Sequence, residues 1–66
     1  GPFPSPKEPN VFCIKNSRYK LIFFKTSKEW KMFDLIKDPR EEENIFGKQI
    51  KEEKVLQDKL TKWINR

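Results

Sequence analysis

Sixty-six residues make one domain at most, and a chain of that length buries only about 60% of the surface its unfolded form exposes, so its isolated fold is marginal. Cys13 is the only cysteine, which excludes an internal disulfide, and the lack of histidine excludes Ser-His and Cys-His catalytic couples and a zinc site completed by His. The net charge of +5 is unevenly placed: residues 1–33 hold seven Lys or Arg against two acids, and residues 34–66 hold eight of each. Such a bias attracts phosphate polymers or anionic surfaces, although strand lysines also serve simply to discourage aggregation.

Residues 1–10, GPFPSPKEPN, hold four prolines and form a lead-in segment, expected to run extended without regular hydrogen bonding. Its P-x-P-x-P spacing reads as a linker or a strip lying on a neighbouring surface, with a polyproline ligand as the alternative. It lacks the charged start and apolar core of a signal peptide, and no run of about 18 apolar residues marks a membrane span.

Residues 11–66 form the folded unit. Strands are expected at about 11–15, 18–25 and 28–35, where β-branched and aromatic residues cluster. Asn16-Ser17 reads as a two-residue turn between the first two, and Thr26-Ser27 as the next polar break. Asp38-Pro39 then stops regular structure. In the last segment Leu56, Leu60, Trp63 and Ile64 follow the i, i+4, i+7, i+8 spacing of one helical face, which predicts an amphipathic helix at about 51–65. Glu52 and Glu53 near its start and Lys62 and Arg66 near its end suit the helix dipole. The expected fold class is α+β: a small antiparallel meander of three to four strands with the C-terminal helix packed on one face.

Both faces of that sheet carry apolar side chains. Tyr19, Leu21 and Phe23 alternate with Ile22 and Phe24, while Phe12 and Ile14 alternate with Val11 and Cys13. One helix covers one face, so the other needs a partner, and Phe12, Ile14, Ile22, Phe24 and Trp30 are the interface candidates. In isolation such a face favours self-association.

The stretch RYKLIFFKTSKEWKMFDLIKDPREEEN, from Arg18 to Asn44, resembles the C-terminal signature of the arylsulfatase-like sulfatases, in the alkaline phosphatase superfamily. The matching positions are Arg18, Tyr19, Lys20, Leu21 and Ile22, then Phe33, Asp34 and Leu35, then Asp38, Pro39, Glu41 and Asn44. Phe33 stands where tyrosine is commoner, keeping the ring and dropping the hydroxyl. The resemblance implies a non-catalytic C-terminal subdomain, or a fragment, that packs against the catalytic domain of a parent sulfuric ester hydrolase. It also implies a parent enzyme using formylglycine and a divalent metal, calcium, and a periplasmic or secreted home.

No cofactor is expected on this chain itself. Formylglycine is made from the first residue of a C/S-x-P-x-R motif, whereas Cys13 is followed by Ile14-Lys15-Asn16-Ser17, so Cys13 reads as a small strand hydrophobe. Asp34, Asp38, Glu41, Glu42 and Glu43 are the one acidic cluster, and their spacing fits no EF-hand. Turn and cap hydrogen bonds are the expected roles of Asp34 and Asp38. No catalytic or metal-binding residue is therefore assigned. The alternative function is a free-standing binding module. One form is chromo-like, with Tyr19, Phe24, Trp30 and Phe33 as cage walls. The other is a nucleic-acid binder using Lys20, Lys25, Lys28 and Lys31. Nucleic acid is the less favoured partner, and no membrane association is expected.

Overall fold

The structure is a computed structural model that describes residues 5–8 and 10–65, with side chains from Asn10 onward. It is α+β. Four antiparallel strands, β1 (Ser5–Glu8), β2 (Val11–Lys15), β3 (Tyr19–Phe24) and β4 (Glu29–Asp34), form one sheet in sequence order, and helix α1 (Lys51–Ile64) follows.

The pairing register shows why the turns fall where they do. Lys15 lies opposite Lys20 and Ile14 opposite Leu21, so the hairpin tip is Ser17-Arg18, one residue later than the composition suggests. Asn16 precedes the tip and supports it: its Oδ1 accepts the amides of Arg18 at 2.9 Å and Tyr19 at 2.7 Å. Asparagine thus acts here as an Asx-type brace rather than as a central turn residue. Between β3 and β4 the pairing closes with Phe24 opposite Glu29, and Lys28 in the intervening turn adopts a left-handed φ of 59°.

The lead-in segment differs from expectation. Residues 5–8 are extended, but they also pair with β2, with Ser5 opposite Cys13, Pro6 opposite Phe12 and Glu8 opposite Val11. The register shifts between Pro6 and Glu8. Proline is compatible with an edge strand because only one side of such a strand must donate to a neighbour. The polyproline reading depends on Pro2 and Pro4, which lie outside the described residues.

One face of the sheet and α1 enclose the core. Ile14, Tyr19, Leu21 and Met32 are buried there with Leu56 and Leu60 of the helix. Phe12 meets Trp63 edge-on at 6.0 Å, which anchors the last turn of α1 on β2. At the other side Phe23 and Trp30 pack at 4.5 Å, and Phe46 stacks on Trp30 at 5.9 Å. The helix lacks a side-chain N-cap at Ile50, but Glu53 Oε1 accepts the Gly47 amide at 2.7 Å and so ties the first turn to the preceding loop.

Candidate functional site

The sulfatase-like signature runs from the end of one hairpin to the loop before α1, and the fold gathers its polar members along the β4 side of the sheet. Tyr19 lies opposite Asp34, which places Arg18 within reach of that carboxylate. Arg18 donates to Asp34 Oδ2 from Nη2 at 2.9 Å and from Nε at 3.2 Å. Oδ1 of Asp34 accepts the amides of Ile36 and Lys37, both at 3.1 Å. The Arg18 guanidinium, followed by the Lys37 amide, holds this carboxyl below the usual carboxylate range against the opposing effect of desolvation. The Arg18 side chain also lies over the Tyr19 ring, 5.1 Å from its centroid.

The next two members act on backbone in the same way. Asp38 accepts the Glu42 amide and the Glu43 amide, the latter at 2.9 Å. Asn44 Oδ1 accepts the Met32 amide at 3.0 Å and the Phe46 amide at 3.0 Å, while the Ile45 amide donates to the Met32 carbonyl at 2.8 Å. The loop therefore continues the hydrogen bonding of the sheet beyond β4, where no further strand pairs. Lys20 forms an ion pair with Glu41 at 3.1 Å across the second face of the sheet. Leu21 is fully buried in the core, and Ile22 and Phe33 are buried on the second face. Leu35 is half-buried, and its amide donates to the Arg18 carbonyl at 2.7 Å. Pro39 is exposed in the turn.

These geometries define what the site does. Both oxygens of Asp34 and both of Asp38 accept hydrogen bonds from this chain, from the Arg18 guanidinium and from backbone amides. Among the described residues, no group of three or more His, Cys, Asp or Glu is arranged to hold a metal. Cys13 sits within β2, half-buried, with no formylglycine motif around it. Together the signature residues build a hydrogen-bonded loop bracket beside a surface groove of about 380 Å³ lined in part by Arg18, Asp34, Lys37 and Asp38.

The five interface candidates do not share a surface. Phe12, Ile14 and Trp30 lie on the helix-covered face, with Ile14 only 1% exposed, whereas Ile22 and Phe24 lie on the other. The second face is also less open than the sequence suggests. Ile22 and Phe33 are 5% and 7% exposed, and Lys31 extends over the Phe24 ring at 5.3 Å. Long lysine side chains shield apolar surface while keeping their charge in water. The same register rules out the aromatic cage. Tyr19 and Trp30 belong to the helix-covered face, and Phe24 and Phe33 to the opposite one, so the four cannot surround one cation. Ile45 and Phe46 escaped sequence reasoning because they stand outside any periodic segment.

Comparison with known proteins adds independent support. A family profile described as "N-sulphoglucosamine sulphohydrolase, C-terminal" matches residues 3–66. No curated protein matches the chain. A solved structure of BT4656 in complex with its substrate D-glucosamine-2-N,6-O-disulfate is similar over 98% of this chain, with 30% sequence identity and a TM-score of 0.72. The chain spans 15% of the length of that protein. The signature from Arg18 to Asn44, the sheet-and-helix fold and the match over residues 3–66 agree: the chain belongs to the N-sulphoglucosamine sulphohydrolase C-terminal family and is a sulfatase C-terminal subdomain.

Proposed function

We propose that this chain is a non-catalytic subdomain that completes the fold of the catalytic domain of a parent sulfuric ester hydrolase acting on sulfated glucosamine. The observation that carries the non-catalytic role is the use of the signature side chains: Asp34, Asp38 and Asn44 direct their acceptor oxygens at backbone amides of this chain. Side chains committed in this way set loop geometry. The substrate class rests on the family description and on the disulfated glucosamine bound by BT4656. Formylglycine and the divalent metal, calcium by resemblance, belong in this reading to the rest of the parent protein, and a periplasmic or secreted home follows from the same resemblance.

The test compares the full-length parent, a version lacking residues 11–66 and the 66-residue chain alone, each assayed for sulfate release from D-glucosamine-2-N,6-O-disulfate. The expected result is release by the full-length protein, loss of activity and thermal stability on truncation, and no release by the chain alone. Release by the isolated chain above background, or full activity in the truncated protein, overturns the proposal.

A further inference from the structure

We propose that the hollow between the β3–β4 turn and the last turn of α1 binds one sulfated sugar unit, with Lys25 and Lys28 receiving its sulfate groups. The proposal builds on the reading of the parent protein as acting on sulfated glucosamine, and it assigns this chain a recognition role of its own. The hollow has a volume of about 250 Å³. That is slightly below the roughly 300–1,000 Å³ of drug-sized pockets and suits a single ring better than a chain of them.

Its walls divide by chemistry. Phe23 and Trp30 form an apolar side, and Trp30 packs against the rings of both Phe23 and Phe46. Such a surface matches the C–H face of a sugar. Lys25 and Lys28 stand exposed on the hairpin side, and among the described residues no ion pair is formed by either. Thr61 and Asn65 of the α1 end supply polar groups opposite them. The end of a helix is electronegative and offers free carbonyls, which disfavours a sulfate there and favours hydroxyl donors. The ligand orientation follows: sulfates toward the hairpin lysines, hydroxyls toward the helix end.

The backbone at Lys28 allows its charge to be removed without disturbing the turn. Its φ of 59° is a left-handed conformation that glycine adopts without penalty and that other L-residues adopt at a cost of roughly 1–2 kcal/mol. Turn chemistry alone favours Gly or Asn at this position, as it does at Glu41 and Gln49, which share the conformation, so either residue can replace Lys28 and keep the turn while removing the charge.

The experiment follows the Ile64 methyl resonance, assigned through Ile64→Val, in the full-length protein, because Ile64 lines the hollow. Addition of D-glucosamine-2-N,6-O-disulfate is expected to shift it, unsulfated glucosamine is not, and in K25Q/K28G the shift should require roughly tenfold more ligand or greater, as charge-assisted hydrogen bonds are lost. No shift, or equal affinity in the double variant, overturns the site. An equal response to inorganic sulfate or to a DNA oligonucleotide overturns the sugar assignment. Sulfate release measured on the same samples separates the two readings. A shift without release sinks the enzyme reading and keeps this site, and release without a shift does the reverse.

Discussion

The Asn44 carboxamide takes the place of a neighbouring strand for Met32. Its Oδ1 lies 3.0 Å from the Met32 amide, and the adjacent Ile45 amide closes the pair by donating to the Met32 carbonyl. Met32 is fully buried, so its N–H has no access to water. Asn44→Ala should therefore leave a buried donor unsatisfied and destabilise by about 1–3 kcal/mol. Asn44→Asp retains an acceptor oxygen and should cost less. Denaturant unfolding checks the order of the two variants, and an Ala variant as stable as the parent would remove Asn44 from the bracket.

The Arg18–Asp34 pair predicts an acid limb in the stability profile. The folded Asp34 carboxyl titrates below its ordinary value of about 3.9, so the folded state binds fewer protons there than the unfolded state. Its contribution is fully present above that ordinary value and is lost as pH falls through the lower folded value. Asp34→Asn should flatten this part of the profile, with little change in slope above about pH 5. Arg18→Lys should also weaken the pair, because one ammonium cannot reproduce the two donors that Nε and Nη2 direct at Oδ2. Thermal melts between about pH 2 and 7 test the sign of both effects. An Asp34→Asn profile parallel to that of the parent would show that the pair contributes nothing.

Burial on α1 separates two leucine-like positions cleanly. Leu60 is fully buried against the sheet, and Val55 is 49% exposed. Leu60→Ala should cost about 2–5 kcal/mol, which is most of the stability of a domain this small. Val55→Ala should change stability by less than about 0.5 kcal/mol. Equal losses at the two positions would mean that α1 does not dock through its Leu56–Leu60 stripe.

Much of this architecture was legible because alternation and helical spacing leave a trace in the order of residues. The Leu56, Leu60, Trp63, Ile64 stripe and strands β2 to β4 are of that kind. Strand β1 was hidden by its prolines, whose effect depends on whether the strand lies at an edge, which composition does not reveal. Register was harder still. Both faces of the sheet are apolar, so alternation alone did not say which one α1 would cover, and the interface list drew on both. Lys15, Lys20 and Lys31, which all fall opposite the helix-covered face, were the available sign. The site was recognisable as a signature, but its geometry was not. Asp34, Asp38 and Asn44 bond to backbone two to twelve residues away, and such bonds have no period to read.

Lys28 is the position where stability and recognition separate. Replacing it with glycine removes the left-handed penalty of roughly 1–2 kcal/mol, offset by about 0.5–1 kcal/mol for the greater freedom of glycine in the unfolded chain. Lys28→Gly should therefore hold or raise the unfolding midpoint, by the equivalent of up to about 1.5 kcal/mol. The same variant removes one of the two cations beside the hollow of Phe23 and Trp30, and its affinity for disulfated glucosamine should fall. Lys28→Asn, which tolerates the same φ and also lacks the charge, should behave alike. Unfolding and binding measured on the same preparations decide the matter. If glycine destabilises the protein and leaves affinity unchanged, the lysine serves the turn and not a ligand.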